Sequence, residues 1–128
     1  MTDKPWGRNY EPGVPHEIDA DAYTSIWAMS AAAIAKHGGA TAFSNFGADL
    51  SFDDIDRLSE NLAAYLQSEL GLKKGDRVAI MSPNIMAFPV TMFANMRAGL
   101  VQVNVNPLYT PRELQHQLND ADTDTIII

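Results

Sequence analysis

Cysteine is missing from the 128 residues altogether, which excludes disulfide staples, thiolate catalysis and cysteine metal sites. Basic residues are scarce: nine Lys and Arg stand against sixteen Asp and Glu, a formal net charge of -7. Nonspecific attraction to nucleic acid or to an anionic bilayer needs a basic patch, so nucleic acid is excluded as a partner. Long apolar runs are missing too. The longest, Ile26 to Ala35, is broken by Ser30 and falls well short of the ~20 residues of a membrane span. The opening MTDKPWGRNYEPGVPHEIDAD has no apolar stretch behind a basic head, so it does not read as a signal peptide. Internal repeats and low-complexity segments are absent. What is present is globular: 46% hydrophobic, 9% aromatic and 20% charged residues, in a length that supports one core.

Punctuation residues divide the chain. Pro5, Pro12 and Pro15 with two glycines preclude a helix up to Asp19, so residues 1–20 read as an extended N-terminal arm, pinned by Trp6 and Tyr10. An Asx cap at Asp21, a stripe of Ile26, Met29, Ala33 and Ile34, and Gly38 beyond it predict a helix from Ala22 to His37. TAFSNFGADLSF alternates in polarity around Gly47-Ala48-Asp49, the pattern of a hairpin whose register the alternation leaves open. Ser51 and Asp54 form a carboxylate capping box, and Ile55, Leu58, Leu62, Leu66 and Leu70 follow at spacings of three and four until Gly71.

The remainder alternates between the two periodicities. Arg77 to Met81 reads as a buried strand, Ile85 to Ala98 as a helix, Leu100 to Val105 as a strand, Pro111 to Asp120 as a helix and Thr125 to Ile128 as a strand. Connections this short imply parallel strands with right-handed crossovers and helices on both faces. Pro89 conflicts with the middle helix, because an interior proline costs ~3 kcal/mol, so a late start or a bend is expected.

Local motifs favour structural explanations. Ser82-Pro83-Asn84, after the first parallel strand, carries no glycine for phosphate and reads as a serine cap with proline at the first helical position. GLKKGDR lacks the spacing and terminal Lys-Ser/Thr of a P-loop. Thr110, Pro111 and Glu113 form a capping box with proline at the first helical position. Glu113, His116 and Asp120 share one helical face at metal-like spacing, though a solvated charged face is the commoner meaning. His16 and His37 have no serine partner in a nucleophile setting, and Asp53 and Asp54 suit a helix start.

The stretch LSFDDIDRLSENLAAYLQSELGLKKGDRVAIMSPN, followed by FANMRAGLVQVNVNPLYTPRELQHQLNDADTDTIII, resembles the N-terminal region of adenylate-forming enzymes, most closely the bacterial long-chain fatty acid:CoA ligases. Leu50 to Ile55 resembles the first core motif of that superfamily and Met96 to Pro107 the second; the likeness runs from Trp6 to the last residue, with NVNPLYTPREL its most specific phrase. The resemblance implies an α/β fold: a partial parallel sheet flanked by helices, the opening part of the large N-terminal domain of adenylate-forming enzymes. Residues 21–128 are then an incomplete N-terminal α/β subdomain of an AMP-binding domain, and Ile126 to Ile128 a core strand cut from its continuation.

It further implies a two-step reaction in the parent protein. A fatty acid and ATP with Mg²⁺ give acyl-adenylate and pyrophosphate, and the thiol of CoA displaces AMP. Such an enzyme must neutralise phosphate charge and exclude water. The family's Ser/Thr/Gly-rich loop ending in Pro-Lys-Gly, its acidic magnesium ligand, its ribose aspartate and its C-terminal lysine do not occur in this sequence. No catalytic, cofactor-binding or metal residue is therefore assigned, ATP, CoA and Mg²⁺ belong to the parent, and the fragment alone is expected to be inactive. The implied partners are a long-chain fatty acid and the remainder of the parent chain; the implied location is cytoplasmic, allowing peripheral contact with the inner membrane and a homodimer. The alternative expectation is a freestanding α/β binding or interaction module without catalysis.

Overall fold

The fold was obtained as a computed structural model that describes residues 4–128; the first three residues of the expected arm lie outside the described residues. The arm is less extended than its prolines suggest. Pro5 occupies the first position of a short 3-10 helix, Pro5–Asn9, where its fixed φ suits the turn and its missing N–H costs nothing. Tyr10 stacks on His16 within the arm, 5.4 Å between ring centroids, and Trp6 is 57% exposed.

Helix α1 spans Ile26–His37 and starts four residues later than the Asp21 cap implies. Ser25 is the cap, its hydroxyl accepting from the Ala28 N–H at 3.0 Å, while Asp19 instead accepts from the Asp21 backbone in a local turn. The buried face also differs from the expected stripe: Ser30 and Ile34 are inside, and Ile26 and Met29 are exposed. The hairpin is β1 (Thr41–Asn45) and β2 (Ala48–Ser51), so Ala48 and Asp49 belong to the second strand rather than the turn. The turn is Phe46-Gly47, both with positive φ (48° and 80°), the two-residue geometry whose twist matches the flanking strands. Its register pairs Phe43 with Leu50.

Helix α2 (Phe52–Ser68) follows the sequence closely. The Ser51–Asp54 capping box forms in both directions, and Ile55, Ser59, Ala63 and Leu66 are buried; Leu70 lies beyond the helix and is half exposed. Strand β3 (Arg77–Met81) leads to α3 (Ala87–Ala98), β4 (Val101–Val105), α4 (Pro111–Asp120) and β5 (Thr125–Ile127). The late start of α3 resolves Pro89. It is the third helical residue, where no intrahelical carbonyl awaits an N–H.

The three parallel strands lie in the order β4-β3-β5. The path steps from β3 to one side and then across to the other. With right-handed crossovers, opposite steps put α3 and α4 on opposite faces. Burial agrees, since Val78, Ala79 and Ile80 point alternately to the two faces and none is more than 1% exposed. The main core joins Ala63 and Leu66 of α2, Val78, Ala94 and Ala98 of α3, and Leu100. Its alanines let α2 and α3 approach closely.

Candidate functional site

Parallel sheets of this kind take ligands beyond the carboxyl ends of their strands, at the point where the strand order reverses. Here that point adjoins the carboxyl end of β3. The segment there, residues 82–86, does not cap α3 as its Ser-Pro pair suggests. The Ser82 hydroxyl donates to the Pro83 carbonyl at 3.1 Å, the Ile85 N–H to the Pro83 carbonyl at 2.8 Å and the Phe88 N–H to the Ile85 carbonyl at 3.0 Å. Two tight turns therefore precede the helix, leaving an open loop on top of the sheet.

The Asn45 side chain donates to the Asn84 carbonyl at 3.0 Å and ties the end of β1 to that loop. Between the two lies a cavity of about 320 Å³ lined by Phe43, Ile85, Met86, Phe88, Pro89 and Met92. Phe43 is held edge-on against Phe93, with centroids 6.4 Å apart. Ser44, Asn45 and Asn84 supply the polar rim, and the Ser44 hydroxyl is engaged by the Asp49 carboxylate. No ionisable side chain is among the residues that line the cavity.

The residues singled out in the sequence lie elsewhere. Lys73 and Asp76 close a turn, the backbone N–H of Lys73 donating to the Asp76 carboxylate at 2.7 Å, and Gly75 bonds the Gly99 carbonyl at 2.9 Å, which makes GLKKGDR a strand-starting turn. At this amino end of the sheet Arg77 reaches Asp122 at 3.2 Å. Glu113, His116 and Asp120 do share a shallow depression on α4 with Tyr109. Glu113 is occupied as a cap: the Thr110 hydroxyl and then the Thr110 N–H hold its carboxyl below the usual carboxylate range. Asp54 is likewise lowered, first by the Ser51 hydroxyl and then by Arg57. His37 packs against Phe52, and the Asp53 N–H donates to the Gly38 carbonyl at 3.0 Å. Among the described residues no group of three or more His, Asp or Glu is placed to hold a metal ion. A nucleoside triphosphate with its cation does not fit the donors at the carboxyl end of β3, which offer neutral amides and a hydroxyl but no cation or carboxylate cluster.

Sequence reasoning missed the cavity because its walls come from β1, the 82–86 loop and α3, which no local pattern connects. Its one trace was Pro89, an anomaly for a helix and a wall of the cavity.

Comparison with known proteins gives these features a family. The profile described as AMP-binding enzyme matches residues 30–128. The long-chain-fatty-acid--CoA ligase of Escherichia coli O6:H1 is 49% identical over 125 residues, covering 98% of this chain and 22% of that protein. The Bacillus subtilis protein of the same name is 41% identical over 129 residues, 99% of this chain and 22% of its own length. The chain thus spans about a fifth of these relatives. In structure, the N-terminal subdomain of Klebsiella oxytoca NpsA superposes with a TM-score of 0.76 at 24% identity, over 80% of this chain and 27% of that one, a likeness of fold. With the profile covering most of its length, the chain belongs to the AMP-binding enzyme family.

Proposed function

We propose that the chain is the opening part of an ATP-dependent, AMP-forming long-chain fatty acid:CoA ligase. The observation that carries this reading is 49% identity, across 98% of the chain, to a protein of that name. In this reading residues 1–20 are the arm and 21–128 an incomplete α/β subdomain, completed by the remainder of a longer chain. The substrates are a long-chain fatty acid, ATP with Mg²⁺, and CoA. The residues present supply scaffold: a parallel sheet, and an apolar cavity wall beside the carboxyl end of β3. The phosphate loop, magnesium ligand and C-terminal lysine that the family resemblance implies are not among them, so in this reading the isolated chain is inactive. Its place is the cytoplasm, with peripheral contact at the inner membrane and homodimer formation as further parts of the reading; no helix among the described residues is long and apolar enough to cross a membrane.

The test is a chimera in which this chain replaces the matching opening segment of the Escherichia coli relative. Oleoyl-CoA formation from oleate, ATP and CoA is expected within about ten-fold of the parent, a change of about 1.4 kcal/mol in barrier. A soluble, folded chimera without thioester formation would refute the reading, as would oleoyl-adenylate formation by the isolated chain.

A further inference from the structure

The tip of the β1–β2 hairpin sets a bulky apolar knob beside an apolar hole. Phe46 is almost wholly exposed, and its backbone is held at φ 48°, a region that asparagine or glycine occupies at less cost. It follows Asn45 directly, and Asn45 lies on the rim of the cavity walled by Phe43, Phe88, Pro89, Met86 and Met92. Phe46 does not enter that cavity in its own chain. We infer that it enters the same cavity of a second copy, so that two chains pair across a two-fold axis by reciprocal insertion of Phe46.

The walls fit an aromatic ring. A cavity of ~150 Å³ can hold benzene, so about 320 Å³ takes a phenyl group together with part of the turn that carries it. Phe43, braced against Phe93, supplies an aromatic partner, and the thioethers of Met86 and Met92 make favourable contacts with rings. The rim fits a hairpin tip. One N–H of the Asn45 amide goes to the Asn84 carbonyl; its second N–H and the Asn84 side-chain amide are left to donate to backbone carbonyls of the incoming turn. Because knob and hole belong to neighbouring residues, a single two-fold contact engages both, and the assembly closes at two chains instead of growing into a fibre.

Size sets the strength. Each inserted ring and the wall it covers remove roughly 200 Å² apiece from water, about 800 Å² for the two contacts together, which is below the ~1,200 Å² of stable interfaces. Two chains of net charge -7 also repel one another. The dimer is therefore weak, with a Kd on the order of 300 µM, so that at micromolar concentration the chain is a monomer. Added salt screens the repulsion and tightens it. The inference deepens the homodimer of the proposed function and rests on that part of it alone. A monomeric chain would leave the ligase reading standing, and an inactive chimera would leave the dimer standing.

Two measurements test it. Sedimentation equilibrium up to about 1 mM is expected to show a monomer–dimer equilibrium, weakened at least about ten-fold by Phe46→Asn, which removes the knob, and by Met92→Trp, which fills the hole. Should one variant unfold, the other reports on the same contact from its opposite half. In the second, Phe46→Asn chain with isotope-labelled methionine methyls is titrated with unlabelled chain and followed by nuclear magnetic resonance. Unsubstituted chain is expected to move Met86 and Met92 saturably and to leave Met29, which lines a different depression with Tyr23 and Ile26, in place. Unlabelled Phe46→Asn chain is expected to move none of them. The proposal is overturned if the unsubstituted chain stays monomeric at about 1 mM or grows beyond a dimer, if Phe46→Asn associates as tightly, or if Met29 moves in step with Met86 and Met92.

Discussion

Replacing Arg97 by methionine keeps the aliphatic stem between α1, α2 and α3 and removes everything its guanidinium does there. The guanidinium lies 4.0 Å over the Trp27 ring, its Nη2 donates to the Asp56 carbonyl at 3.2 Å and to the Asp56 carboxylate, and its Nη1 stands 3.9 Å from Glu60. The side chain is 20% exposed, so the cation–π contact falls between the exposed and desolvated cases at about 1 kcal/mol. The charge-assisted bond to the carbonyl contributes about 1.5 kcal/mol. Asp56 is 44% exposed, and solvent screening reduces its ion pair to about 0.5 kcal/mol. Against these, Nε is buried without a partner, a cost that methionine removes. The net expectation is a loss of about 2 kcal/mol, read by urea unfolding at neutral pH as a lower midpoint with unchanged slope. Arg97→Lys should lose about half as much, because an ammonium can remain over Trp27 but cannot fork onto Asp56. A methionine variant as stable as the unsubstituted chain would refute the assignment of Arg97 as the joint between the three helices.

Three further outcomes are expected. Phe46 is 97% exposed and held at φ 48°, so Phe46→Asn, which suits that turn, should raise stability by about 0.5–1 kcal/mol in the same unfolding assay; a loss would mean that Phe46 makes a contact the fold does not reveal. Asn95 is 1% exposed and neither of its amide atoms finds a hydrogen-bond partner, so Asn95→Leu should leave the thermal midpoint unchanged or higher, and a fall of several degrees would argue against the orphaned amide. The carboxyls of Asp54 and Glu113 are lowered in the folded state, so their contribution is present above the ordinary carboxylate pKa of ~4 and is lost as pH falls through and below it. Asp54→Asn with Glu113→Gln should flatten the acid limb of stability against pH, and an unchanged limb would count against both capping boxes.

Legibility followed the range of the interactions. Helices α2 and α4 could be read because their signals are local: each capping box needs only four residues, and the α2 stripe repeats within one element. Strand β3 was plain because it is covered on both faces and carries no alternation to misread. The start of α1 misled because Asp21 and Ser25 are both good caps, and only the surrounding turn selects one. The hairpin turn shifted by one residue because Gly47 can serve a turn from more than one position, and the positive φ of Phe46 is not written in its residue type. The cavity was illegible for a different reason: Phe43 and Phe88 are far apart in sequence and line one cavity only because the hairpin is tied to the loop.

The strand order has a consequence in time. β3 is the first of the three parallel strands to leave the ribosome and the middle one in space. It can pair with β4 soon after Val105 emerges, but its other neighbour is β5, with Ile126 opposite Ala79, so one side of its backbone stays bare while two helices and a strand are made. Closure over so long a loop is slow, and a bare apolar strand invites the wrong partner while it waits. The segment best shielded in the finished fold is therefore the one whose second side waits longest for its partner during synthesis.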